Sequence, residues 1–484
     1  MSGGVSSIAR LTSVVALSLG AVLLACGASD EHGHAHQPGP VVAPPTGAEA
    51  ELEALVPVPN KSQTPGVVEV DLEAKLGRKV YGDAPETEVW TYNGTVPGAF
   101  LDAKVGDRLV VNFKNALPEP TTVHWHGVRL PAAMDGTLAM QQPVPAGGTF
   151  RYEFVLKDAG LFWFHPHMRS DIQVQKGLYG ALRVRAASEP ESDVERVLVL
   201  DDIKLERDGR VSETLDDNSR MMGREGNTLL VNGTSNARLT VPTGGVVRLR
   251  LVNVANGRFF KVRVPGHTLR VIGSDGGFVP RPYDTETVLM SPGERYDVLF
   301  VAKGAEGSEI TVMNEPHERG HESGMRPASP LMKLRLGAPR ATPAPPLPDA
   351  FAPIERLPEG PVAHTVTLDE KPNANGDYVF TIDGKTFPDV PPIVIPNGQV
   401  RVWEVKNDSD MEHPFHLHGF FFQVLARSGV ATPADRLLWK DTEIVPSKGS
   451  IRFVARFDEP GSWMYHCHIL EHGELGMMGE IKVQ

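Results

Sequence analysis

From about residue 67 onward the chain reads as short apolar runs separated by turn residues. "DRLVVNFKN" (107–115), "VVRLRLVN" (246–253), "YDVLFVAK" (296–303) and "QVRVWEVKN" (399–407) are rich in Val, Leu and Phe, and frequent Gly (48) and Pro (41) punctuate the runs. No long amphipathic helix competes. The pattern predicts an all-β chain made of β-sandwiches.

An internal repeat divides that pattern. Gly106-Asp107, Gly244-Gly245 and Asn397-Gly398 each open an equivalent strand, and "AGGTFRYEF" (146–154), "SPGERYDVLF" (291–300) and "SKGSIRFVARF" (447–457) follow at similar offsets. The first and third copies continue alike, as "AGLFWFHPH" and "PGSWMYHCH". Three copies suit a chain of 484 residues at roughly 150 residues per domain. The expected copies span 67–187, 188–345 and 346–484, the second boundary falling in the Pro-rich stretch 338–361.

Ahead of the first copy the texture changes. Residues 1–26 carry one basic residue, Arg10, then an apolar run from Leu11 to Ala25 that is too short for a comfortable membrane span and reads as a secretory signal. Its end, Leu23-Leu24-Ala25-Cys26, resembles a bacterial lipobox, whose cysteine becomes the lipidated first residue of the mature chain. The plainer reading is an ordinary signal with a chance cysteine. Residues 27–66 are rich in Pro, Ala and Glu, show no period and predict a flexible tether, with His32, His34 and His36 as solvated positions rather than a metal site. The expected location is outside the cytoplasm, as a periplasmic or cell-envelope lipoprotein that meets the membrane only through its lipid.

Composition adds two exclusions. A hydrophobic content of 41% supplies a core that needs no disulfide staples. A formal net charge of −12 argues against nucleic acid as a partner, since such a surface clusters Lys and Arg. The chain is expected to act as a monomer. Of its two cysteines, Cys26 belongs to the leader, which leaves Cys467 unpaired in an oxidising compartment. A metal–thiolate bond is one protection for such a thiol.

Histidine then separates the copies. The first carries "HWHG" (124–127) and "HPH" (165–167), the third carries "HPFHLHG" (413–419) and "HCHILEH" (466–472), and the second has none. On a strand, residues i and i+2 project together while i+1 points away. His124 and His126 therefore converge, as do His165 and His167, His416 and His418, and His466 and His468. Cys467 must face the other way, so one strand serves two metal sites. A soft thiolate, two imidazoles and a weak thioether fit a blue-copper centre better than zinc, which prefers a closed tetrahedral set. Cys467, His413 and His472 are the equatorial candidates, with Met477 axial and Met478 a competitor better suited to packing.

In this order the four motifs, with "YNGTVPG" (92–98) and the middle copy that lacks any such motif, resemble three-domain multicopper oxidases over nearly the whole mature chain. The resemblance implies three cupredoxin-like Greek-key domains and four coppers per chain. A type 1 copper would take single electrons, and a trinuclear cluster would reduce dioxygen to two waters. Residue by residue, it implies His413, Cys467, His472 and Met477 for type 1. His124 and His416 match the type 2 ligands, and His126, His165, His167, His418, His466 and His468 the type 3 pair. The cluster would lie between the first and third copies, with the middle one as a spacer.

Asp135, nine residues past His126, occupies the position of the family's buried acid and is the expected proton relay. Relatives often place a glutamate directly after the last histidine ligand. Here Gly473 stands there, with Glu474 one further as the substitute candidate. The implied donors are phenols and aromatic amines, as for laccases. The alternatives are Cu(I), as for a cuprous oxidase, and a copper or electron carrier without turnover. A methionine-rich lid would favour Cu(I), but only Met221, Met222 and the loop "MNEPHERGHESGM" (313–325) are candidates, and the loop reads as solvated.

Overall fold

The computed structural model describes residues 1, 42–373 and 376–484, and from residue 42 onward its regular elements are nearly all strands. The repeated strand has the same neighbours each time. Arg108–Asn115 lies between Val67–Lys79, parallel to it, and Thr149–Val155, antiparallel. Val246–Asn253 lies likewise between Val194–Ile203 and Arg295–Val301, and Gln399–Asn407 between Val362–Pro372 and Ser450–Phe457. A parallel partner demands a crossover connection rather than a hairpin, so this recurrence is one topology used three times.

Each copy stacks that sheet on a second one. Alternation supplies the core: Val70, Leu72 and Ala74 of the first strand are buried while Asp71 between them is exposed. No strand crosses from the first copy to the second between Arg185 and Val194, or from the second to the third between Pro339 and Val362. The apolar interior is continuous between the first and third copies, where Trp125 and Phe164 belong to the same cluster as Phe415, Tyr465 and Cys467. A further cluster joins Leu161 and Trp163 of the first copy to Val197 and Val252 of the second and Leu470 of the third.

The described part of the 27–66 segment departs from the tether expectation. Ala50–Glu51 adds a parallel edge strand to Ala237–Arg238 of the middle copy, Leu52 is buried in that copy's core, and the Val58 amide donates to Phe100 O of the first. Its Pro-rich composition hides a few apolar side chains that dock, so the segment straps two copies together. Residues 2–26, with the lipobox, and His32, His34 and His36 lie outside the described residues. Among the described residues no helix is long and apolar enough to cross a membrane.

Candidate metal centre

Strand register brings the histidine motifs face to face. His124 pairs with His165 across neighbouring strands of the first copy, and His416 with His466 in the third. Between the imidazoles, Trp125 turns inward against Tyr152, Phe154 and Phe164, and Leu417 is buried in the apolar interior with Phe415, two residues earlier, which packs against Phe453 and Tyr465. Each motif thus buries one side chain in its own sandwich and offers the two flanking rings to the other copy.

Eight imidazoles meet there, all buried, and their donor atoms fall into three sets of three within 4.8 Å: His124, His126 and His416; His126, His165 and His468; His167, His418 and His466. Every set draws on both copies. His126 stacks on His416 with ring centroids 3.9 Å apart, and His124 on His418 at 4.0 Å.

In six of the eight rings the outer nitrogen is already engaged. Nδ1 of His124 donates to Asp135 O (2.9 Å), His165 to Pro166 O (2.8 Å), His416 to Asp441 O (2.9 Å) and His466 to Cys467 O (2.9 Å). His418 Nδ1 donates to Asp135 Oδ2 at 3.0 Å, and His126 instead turns Nε2 to Asp441 Oδ1 at 3.2 Å. Such bonds fix the tautomer and leave the inner nitrogen as a bare lone pair.

The consequence is sharpest for His418 and His466, whose Nε2 atoms approach to 2.9 Å although both rings have spent their proton on Nδ1. Two lone pairs at that distance need a cation between them. The Nε2 atoms of His124, His165 and His416 likewise have no hydrogen-bond partner although buried. Burial, reinforced by neighbouring rings, holds His165, His418, His466 and His468 well below the usual histidine pKa and His167 at about 3. Neutral, pre-oriented imidazoles of this kind fit copper.

Cys467 faces the opposite way. Its Sγ lies 3.5 Å from His413 Nδ1 and 3.7 Å from His472 Nδ1, and those two nitrogens are 3.3 Å apart. The far nitrogens are again tied, His413 Nε2 at 2.8 Å from Ser409 Oγ and His472 Nε2 donating to Met221 O at 3.0 Å. Burial pushes the thiol pKa upward, so a thiolate here requires a cation. Met477 is fully buried and its carbonyl accepts from the Cys467 amide at 3.1 Å, whereas Met478 is only half-buried.

Asp135 is fully buried, with Oδ1 3.2 Å from His124 Nδ1 and Oδ2 at His418. Glu474 is elsewhere: it is exposed and accepts from Ser170 N (2.7 Å) and Oγ (2.8 Å). One helical step separates it from position 473, where a side chain would start 3.8 Å from His466 Nδ1. The loop 313–325 is packed rather than solvated. Arg319 is buried against Glu225, His317 Nε2 is 2.7 Å from Glu412, and His321 bonds Glu370, whose other oxygen is 3.8 Å from His413 Nε2.

Sequence reading missed Asp441. Its buried carboxylate faces His126, and its carbonyl holds His416. Burial alone would raise its pKa, but the charge and hydrogen bonds of Arg295, with those of His126 and His416, hold it well below the usual value. No motif in "WKDTE" (439–443) marked it.

Family models described as multicopper oxidase match residues 76–189, 199–322 and 355–484. The chain is 30% identical over 446 residues to Multicopper oxidase MmcO of Mycobacterium tuberculosis, covering 81% of this chain and 82% of that one. A multicopper oxidase of Campylobacter jejuni, titled a metallo-oxidase, superposes with a TM-score of 0.80 at 27% identity, over 92% of this chain and 97% of that chain. A bacterial laccase-like multicopper oxidase, CueO of Ochrobactrum sp., with oxidase activity towards lignin model compounds and lignosulfonate, gives 0.77 at 28% identity over 92% and 100%.

Proposed function

The chain belongs to the multicopper oxidase family, and from that premise we propose a specific division of labour among its buried ligands. His413, Cys467, His472 and Met477 would hold a type 1 copper. His124 and His416 hold a type 2 copper. His126, His165 and His468 hold one copper of a type 3 pair and His167, His418 and His466 the other, giving four coppers per chain. Bound in such sites, copper supplies one-electron oxidation of a donor at the thiolate centre and reduction of dioxygen to water at the cluster.

The protein's own part is positioning. Cys467 is bonded through the backbone to His466 and His468, which gives electrons a short covalent route between the two sites. Burial of all eight imidazoles keeps bulk water out, and Asp135 sets a carboxylate against His124 and His418, where it can pass protons inward. The observation that carries this reading is the 2.9 Å approach of the unprotonated Nε2 atoms of His418 and His466.

The donor we propose is a phenol or aromatic amine. The alternative, Cu(I), draws support from Met221, whose carbonyl accepts from His472, and from Glu370 near His413. Oxygen uptake by the copper-loaded enzyme, with a phenol and Cu(I) at matched concentrations, is expected to be faster with the phenol. Faster uptake with Cu(I) would select the alternative, and no uptake with either would sink the oxidase reading. We also propose export and lipid attachment at Cys26; the mass of the mature N-terminal peptide, with or without two or three acyl chains, decides it.

A further inference from the structure

The middle copy holds no ligand of either site, yet one of its loops touches both halves of the trinuclear one. We propose that this copy builds a wall of the cluster, with Arg295 and Gly293 acting as positioning residues for His126 and, through Asp441, for His416. The inference rests on the ligand division above.

Arg295 is fully buried and every donor of its guanidinium is used. Nε donates to Leu161 O at 3.0 Å, on the strand that ends in His165. Nη1 donates to Gly293 O (3.0 Å) and Asp441 Oδ1 (2.7 Å), and Nη2 to Asp275 O (3.0 Å) and Asp441 Oδ2 (2.5 Å). One planar fork thus binds all three copies, and its two-point grip fixes the plane of the Asp441 carboxylate. That carboxylate orients His126 through Nε2, and the carbonyl of the same residue orients His416 through Nδ1. The two rings stacked at 3.9 Å are therefore aimed from a residue that the middle copy clamps.

Gly293 closes the same wall. Its φ is +91°, and a Cβ there would lie 2.9 Å from His126 Cε1 and 3.1 Å from His468 Cδ2, so the backbone itself packs on two imidazoles. Gly127, at φ +82°, makes the matching space on the first copy: a Cβ there would strike Arg295 Nη2 and lie 2.6 Å from Asp441 Oδ2. Two glycines facing one another across the fork are what close approach of three chains requires.

A merely adhesive role would loosen the whole molecule, whereas a positioning role disturbs one centre. The test uses the full-length, copper-loaded enzyme and reads blue absorbance for type 1 and the electron paramagnetic resonance signal for type 2, with copper counted per chain. Arg295→Gln and Gly293→Ala are each expected to keep the blue colour while the type 2 signal shifts or is lost and copper affinity at the cluster falls about 10-fold or more. Arg295→Lys should not restore the signal, since an ammonium has no fork. Arg281→Ala, which removes an exposed ion pair to Asp435 between the middle and third copies, should leave both signals intact.

Wild-type type 2 spectra in both Arg295→Gln and Gly293→Ala would overturn the inference, and so would loss of both signals in equal proportion. Should Arg295→Gln fail to fold, the single added methyl of Gly293→Ala decides alone. A wild-type enzyme with blue colour but no type 2 signal would instead overturn the ligand division, and this inference with it.

Discussion

Cys467 shows what one side chain owes to its surroundings. It is buried without a disulfide partner, and burial disfavours its ionised form. Only a cation held by His413 and His472 makes a stable thiolate there. Cys467→Ser is therefore expected to abolish the blue absorbance, because a hydroxyl is a hard and neutral donor, while the eight cluster imidazoles, which the sulfur faces away from, keep the type 2 signal. Turnover should drop by about 100-fold or more, beyond the cost of losing an outer-shell partner. Visible and paramagnetic spectra of the same sample check this, and retained colour would refute the ligand assignment. At this scale the ligands were readable because sulfur and imidazole have few other reasons to alternate along a strand. Glu474 was not, because a helix turns about 100° per residue and one position decides between the cluster and solvent.

At the scale of elements, the same alternation explains both what could be read and what could not. A His-x-His strand announces its two faces, and so does the tryptophan or leucine between the ligands. Arg295 gave no such sign, since "SPGERYDVLF" reads as one more repeat of a core strand, and its partner Asp441 lies in another copy. Residues 42–66 were hidden for a different reason: prolines interrupt any period, although Leu52 still enters the middle core. That docking is testable. Leu52→Ala removes a nearly fully buried side chain and is expected to destabilise the middle copy by about 2–3 kcal/mol. The measurement is the urea midpoint followed by tryptophan-independent far-ultraviolet dichroism, with blue absorbance of the native enzyme unchanged. An unaltered midpoint would return this segment to the status of a tether.

For the whole molecule, the distribution of ligands makes metal binding and assembly one event. Each of the three imidazole sets takes rings from both the first and third copies, and the middle copy grips both through Arg295. Without a cation, several inner nitrogens face one another with no proton between them, so the copper-free interface carries buried lone pairs at a cost. Copper that binds only the assembled form should stabilise it by RT ln(1 + [Cu]/Kd), about 2.7 kcal/mol at a hundredfold excess over Kd. Chelation is therefore expected to lower the calorimetric transition, and added copper to restore it. The comparison with His413→Ala locates the effect: that variant loses a ligand confined to one copy, so it should lose colour yet keep most of the copper-dependent stabilisation. If wild-type protein melted identically with and without copper, the facing imidazoles would not be holding the copies together through a metal.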